Sequence, residues 1–493
     1  MARNVILNQV DLSHSDIGGY GDFRAWLVGG DFNLQQSRFR AYVAFGPYRQ
    51  VSNPQSPYWL QRPTRPEEMD GVAVPDQLTA LFDPALDAAT NYGQTQIGGS
   101  LNLSGLQSQS WVSLNGTAIT GDVDLTTCQL GSFYAQPAWI YLAASAPEDP
   151  RLALLAARLR RLECADAHIA GTMDLSGLVL LPSELADGDP ADPAANPRER
   201  ALHFSNVEVM GNLTLSAADD QDRYLAQAIR DASVVPSPTD DPACLVTPKS
   251  SNGAAPWVFL GVGDVQPAQV RYGPSRLHSW IDGNIELENC LIDGALELTG
   301  LNDFRGARPG RIDLLDIKVM GDVRALADRF EVSRDPDEPG RIHKGDAIDS
   351  HDGRTGLNRA RVTAFSAEML ECDADVHLTG LCASTSVTLS AADIRGRLQF
   401  HHRKGNPEPS SEATHVQVPA FAKIAGSLDL NGSKARHLVL SGDCMVGPNA
   451  HDQIRLERAE FERLDFWDPY RLPSTLAGFR CGACMCATTA STC

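Results

Sequence analysis

No stretch of about 18 consecutive apolar residues occurs anywhere in this 493-residue chain, so a helical membrane span is not expected. The amino terminus, MARNVILNQVDLSHSD, lacks both a long apolar core and a small-residue cleavage pattern, and the chain is read as soluble and cytoplasmic. Aromatic residues make up only 7%, so aliphatic side chains must supply the interior. Positive charge is also short: 42 Lys and Arg against 62 Asp and Glu leave a net charge of −20, which argues against direct binding of a nucleic-acid backbone. No P-loop, H-E-x-x-H, G-x-S-x-G or EF-hand pattern occurs. An enzyme is therefore not favoured, and no cofactor is expected. The 11 cysteines are an odd number scattered through the body except for a group near the end, unlike a secreted disulfide framework. Reduced thiols are the simpler expectation.

What the chain does have is a repeat. Ile or Val, any residue, Gly, any residue, apolar, any residue, apolar recurs with its glycine at Gly19, Gly30, Gly99, Gly121, Gly171, Gly211, Gly283, Gly294, Gly321, Gly396 and Gly426. Two residues before each glycine stands Ile or Val without exception, from Ile17 to Ile424. Apolar pairs recur every 11 residues, as in Leu101/Leu103, Val112/Leu114 and Val123/Leu125. Apolar, polar, apolar is the smallest strand with one buried face, because strand side chains alternate. An 11-residue period also fits a right-handed helical coiled coil. The fixed glycine and the Asn, Asp, Ser and Thr between the pairs favour strands and corners instead. The fold class is thus all-β: a parallel β-helix, or β-solenoid, with coils of about 22 residues stacked about 4.8 Å apart. Some eleven coils are expected, with the glycines at corners that need either positive φ or close backbone approach.

The interrupted solenoid is expected to cover residues 1–470, with insertions at about 46–96, 126–161, 176–201, 216–280, 299–311, 326–375 and 401–423, followed by a cysteine-containing tail at 471–493. Most of these insertions begin after a glycine-motif rung, so they should leave the solenoid at similar corners. Some carry helical signals. Asp149-Pro150 before RLALLAARLRRL reads as an N-cap with Pro at the first helical position, and Asp222 precedes RYLAQAIR.

With its tandem Ile-x-Gly-x-Leu-x-Leu units, most of residues 5–470 resembles bacterial β-solenoid proteins of the pentapeptide-repeat and bactofilin-like kinds. It also resembles repeat proteins often labelled membrane-associated oxidoreductases. That label finds no G-x-G-x-x-G opening a helix after a strand here.

Two groups have metal-ligand character. In GDAIDSHDG, Asp346, Asp349, His351 and Asp352 place oxygen and imidazole donors in one loop, although a polar surface loop is the ordinary reading. In the tail, Cys481, Cys484, Cys486 and Cys493 give C-x-x-C-x-C spacing compatible with thiolate binding of zinc or Cu(I), set against an end with no selected role. His401-His402 after a strand is read as structural. The functional expectation is a non-enzymatic scaffold that presents insertion loops on one side of a rigid solenoid, to a protein partner or to its own copies. A carbohydrate-active β-helix enzyme and an acidic nucleic-acid mimic that binds a DNA-handling protein are the alternatives.

Overall fold

The computed structural model describes residues 4–47, 95–142, 151–155, 157–180, 199–216, 257–260, 279–302, 310–326, 328–332, 342–345, 355–402, 420–441, 444–446, 454–467 and 480–487. Among these residues there is no α-helix, and no helix long and apolar enough to cross a membrane. The chain is a parallel β-solenoid. Each coil carries four short strands, seen first at Val5–Ile6, Val10–Asp11, Asp16–Ile17 and Gly21–Asp22, and each strand pairs in parallel with its counterpart in the next coil. Val5 pairs with Leu27, Val10 with Phe32, Asp16 with Arg38 and Gly21 with Val43, a 22-residue offset on all four faces. The second face, which begins at Val10–Asp11, is one unbroken sheet of twelve strands ending at Ile454–Arg455. At about 4.8 Å per strand this gives a rod on the order of 55 Å long.

Alternation decides what is inside. On the second face Phe32, Leu101, Val123, Leu162, Leu202 and Leu428 are buried, as are their partners two residues on, Leu34, Leu103, Leu125, Cys164, Phe204 and Leu430. These stacks form one continuous apolar core from Val10 to Phe466. Just after some corners, a small hydroxyl or thiol points inward and donates to a carbonyl of the coil below, where other coils place an aliphatic side chain such as Leu106, Val207 or Leu370. Ser37 Oγ bonds Leu12 O at 2.6 Å, Thr95 Oγ1 bonds Phe23 O at 2.9 Å and Cys128 Sγ lies 2.9 Å from Leu103 O. A polar group buried in this way keeps its hydrogen bond and so costs little. Burial pushes the Cys128 thiol up to about 12 and the Cys290 thiol up to about 11, so both stay protonated.

Of the two roles expected for the motif glycine, close approach is the prevailing one, and positive φ is found at Gly283, at 149°. Gly121 donates to Gly99 O, Gly211 to Gly171 O, Gly294 to Gly211 O and Gly321 to Gly294 O, at 2.9 to 3.0 Å. A Cβ on Gly321 would sit 2.7 Å from Gly294 O, closer than real Cβ atoms come. Otherwise positive φ falls two residues after many of the apolar pairs, and is adopted there by His14, Ala25, Gln36, Thr127, Asp166, Asn206, Met369 and Ala391 as well as by Gly105, Gly116 and Gly432.

Some rungs without the glycine shorten that corner by one residue, whereas Phe39 and Val43, Cys372 and Val376, and Ala383 and Val387 keep the longer corner with Ala41, Ala374 and Thr385 in the glycine position. Leu159, Leu162 and Cys164 are spaced three and two apart, as are Ala435, Leu438 and Leu440, and Phe461, Leu464 and Phe466, where Ile394, Leu398 and Phe400 are spaced four and two.

Among the described residues, the long chain departures from the coil flank the first face. Between the fourth face and the first, the chain leaves after Ala44, Tyr134, Thr214, Arg324 and Gln399, and rejoins at Gln96, Arg158, Trp280, Ala360 and Lys423. Between the first and second faces it leaves after Leu180 and Asn302 and rejoins at Arg200 and Ile312, with a further departure between Met445 and Ile454. The turns from second to third face and from third to fourth stay short in all twelve coils. Two of the departures meet: Ala138–Leu142 pairs antiparallel with Arg151–Leu155, which pairs in parallel with Trp257–Leu260 from a segment about 100 residues later.

Two expectations are corrected. The helix expected in RLALLAARLRRL is absent from its described residues, since Arg151–Leu155, Arg158–Leu159 and Leu162–Ala165 are strands; Asp222 and RYLAQAIR lie outside the described residues. The tail does not break from the solenoid after Phe466, because Arg480–Ala487 pairs in parallel with Glu460–Trp467 over its whole length.

Candidate functional site

On the outer side of the second face one residue per coil falls in a single column: Asp124, Glu163, His203, Glu286 and Asp313 are successive pairing partners. Each is the polar middle residue of an apolar, polar, apolar triplet, and the burial of Leu202 and Phe204, or of Ile285 and Leu287, turns it outward. Glu288, two residues along its strand from Glu286 and so on the same face, pairs with Ser205 below and Leu315 above. The strand ladder fixes these backbones about 4.8 Å apart, so the side chains have little choice of neighbour.

His203 Nδ1 lies 3.0 Å from Glu163 Oε2, and the His203 side chain is 20% exposed. Glu286 has only 7% of its side chain exposed although it faces outward, with Arg200 Nε at 2.5 Å and Arg311 Nη2 at 3.6 Å. Arg311 is shared, its Nε lying 2.5 Å from Asp313 Oδ2. Even with that partner the Asp313 carboxyl is held above its usual range, by burial first and then by repulsion from Glu286, Glu368 and Glu288, which outweigh Arg311. Negative charge is thus in excess across these coils. His203, Glu286 and Glu288 bring one imidazole nitrogen and two carboxylate oxygens within 4.8 Å of one another.

Two other polar or aromatic groupings lie on the surface. Near the last rungs, Asp465 Oδ2 is 3.0 Å from His437 Nε2 and Asp465 Oδ1 is 2.9 Å from Arg463 Nε. Despite partial burial, the hydrogen bond from Arg463 and the nearby His437 hold the Asp465 carboxyl below its usual range. At the first coils Tyr20, Tyr42 and Trp111 stack along the axis, with ring centres 5.1 and 4.5 Å apart. Both faces of Tyr42 are spent in this stack.

No family model, curated protein or solved structure matches this chain.

Of the residues expected to bind metal, Asp346, Asp349, His351, Asp352 and Cys493 lie outside the described residues. Cys481, Cys484 and Cys486 fall in the added strand, in register with Phe461, Leu464 and Phe466 and, one coil lower, with Ala435, Leu438 and Leu440. Their C-x-x-C-x-C spacing is therefore the apolar spacing of a glycine-free rung. His401 is 4% exposed and its ring lies parallel to Phe421 at 6.3 Å, a packing role. His203, Glu286 and Glu288 were not singled out from sequence, since the whole stretch from 217 to 278 separates His203 from Glu286. A signal did exist: writing the middle residue of each triplet in coil order brings Glu163, His203 and Glu286 into one column.

Proposed function

We propose that this chain is a non-enzymatic scaffold whose working surface is the first face of the solenoid and the insertions beside it. The observation that carries the reading is positional. Every long departure among the described residues leaves or rejoins at the two corners that bound the first face, while the other two turns of the coil stay short. A rod of stacked coils fixes the spacing of whatever emerges from it, so segments distant in sequence become neighbours along one side. The pairing of Ala138–Leu142 and Arg151–Leu155 with Trp257–Leu260 is such a case.

In this reading the occupant is a protein, either a different one or a second copy, and the net charge of −20 favours it over nucleic acid. We also infer a bacterial, pentapeptide- or bactofilin-like repeat and a cytoplasmic setting. The tandem motif supports the first, and the buried, disulfide-free Cys128, Cys164, Cys290 and Cys372 support the second.

The test is to replace 217–278 with a tight turn that joins Ser216 to Ser279. The expected variant keeps its β circular dichroism and its cooperative melt but loses self-association in sedimentation or the stoichiometric partner that co-purifies. Binding that survives this deletion and disappears when the first or last rung is blocked would point instead to end-to-end assembly.

A further inference from the structure

We propose that His203, Glu286 and Glu288 form a binding site for one divalent transition-metal ion on the outer second face. The inference is independent of the scaffold reading. An imidazole with two carboxylates is a mixed nitrogen and oxygen donor set, suited to ions such as Mn²⁺, Fe²⁺ or Zn²⁺. Donor atoms within 4.8 Å of one another can reach a common centre at about 2.0–2.2 Å after small side-chain rotations.

Three further features bear on the site. Glu163 engages His203 Nδ1 at 3.0 Å, which leaves Nε2 as the nitrogen available to an ion. A carboxylate behind a ligating histidine fixes its ring and tautomer and raises its basicity. Four carboxylates, Glu163, Glu286, Glu288 and Asp313, crowd two guanidiniums, Arg200 and Arg311, and Glu288 carries no ion pair among the described residues. A cation placed between Glu286 and Glu288 relieves that excess where Glu286 is already withdrawn from water. The ligands also sit on adjacent strands, Arg200–Ser205 and Asn284–Glu288, joined by five registered pairs, so the site is set by the ladder. With three protein donors, the remaining positions on the ion fall to water.

The experiment uses the full chain and Mn²⁺, an oxygen-preferring ion that thiolates hold poorly, so the cysteine tail does not compete. The loss of the free Mn²⁺ paramagnetic resonance signal on titration gives stoichiometry and affinity, and the bound-ion spectrum reports nitrogen coupling. One ion per chain is expected, with a histidine-nitrogen coupling that is absent in His203→Ala. His203→Ala and Glu288→Gln should each weaken binding by about tenfold or more, and Glu163→Gln, which acts through the histidine, by a smaller factor. Melting without metal checks that each variant folds, and Glu288, only half-buried, is the safer substitution should His203→Ala destabilise the chain. The control Asp349→Asn/His351→Ala should bind as the parent does. Absence of saturable binding below about 1 mM overturns the site. So does binding without nitrogen coupling, or binding lost in the control and kept in Glu288→Gln.

Discussion

Each half-coil asks two different things of its backbone, and different residues answer them. The motif glycine answers a demand for space: Gly321 and Gly294 approach so closely that a methyl group would meet a backbone oxygen that cannot move without breaking the ladder. The residue two positions after the apolar pair answers a demand for left-handed φ, and a wide range of side chains meets it, from Gln36 at φ 52° to Arg458 at φ 58°. The inter-coil hydrogen bonds that flank it outweigh the cost of about 1–2 kcal/mol for an L residue in that region. This is why the glycine column was legible in the sequence while the left-handed corner was not: glycine recurs through the first, although Ala41, Ala374 and Thr385 replace it in some coils, and the second leaves no residue signature. Ala25 and Ala391, at φ 63° and 56°, carry that cost with nothing but a methyl group. Ala25→Gly and Ala391→Gly should therefore each stabilise the chain, by about 0.5–1 kcal/mol, and Gly321→Ala should destabilise it by about 1–3 kcal/mol. Chemical denaturation of the three variants decides it, and a stabilising Gly321→Ala would show that the column is loosely packed.

At the level of the strand, the spacing of apolar residues proved more reliable than the residue types that carry them. RLALLAARLRRL has the helix formers and the N-cap of a helix, yet its latter part falls into the solenoid, with Arg158 beside Ala118 and Leu162 beside Val123. Three-then-two spacing of Leu159, Leu162 and Cys164 imitates one turn of an amphipathic helix, and a search built on the glycine could not recognise it as a shortened rung. Intrinsic propensity gives way here to pairing on both sides of each strand. The same shortened spacing hid the last strand, whose cysteines have a spacing compatible with metal binding and also stand in the register of Leu438, Leu440, Leu464 and Phe466. Arg480–Ala487 covers an edge that would otherwise expose the unpaired backbone of Glu460–Trp467. Truncation after Pro473 is thus expected to lower the melting temperature and to promote association through the exposed edge. Light scattering and calorimetry on the truncated chain check this; an unchanged, monodisperse melt would mean that the strand contributes nothing as a cap.

Across the whole molecule the polar positions of the coils act as axial columns, and this makes stability answerable to pH. Asp22, Asp322 and Asp465 all have carboxyl groups held below their ordinary range. At Asp22 the hydrogen bond from Arg24 is the leading cause; at Asp322 and Asp465, arginine and other hydrogen bonds together with neighbouring positive charge overcome the opposing effect of burial. Asp322 also accepts from the Asp375 amide one coil above, so its charge is tied into the stack and not only to Arg324. A carboxyl whose folded pKa is depressed stabilises the fold above its unfolded pKa, and that contribution is lost as the pH falls through the folded value. Asp313 has the opposite sign: its raised carboxyl costs stability while ionised, and the cost vanishes once the pH falls below its unfolded pKa. Four depressed groups, with exposed Asp11 held down by its hydrogen bonds with Ser13 as the fourth, against one raised group predict a melting temperature that is flat from neutrality to about pH 5 and falls steeply below about pH 4. Asp465→Asn should flatten part of that acid fall. Asp313→Asn should raise the melting temperature near pH 7 and make no difference in acid, where the wild-type group is already neutral. Melts of the three proteins between pH 7 and pH 3 measure all of this. A gain from Asp313→Asn that persists in acid would show that its cost is steric, and the charge excess assigned to the His203, Glu286 and Glu288 face would then need another basis.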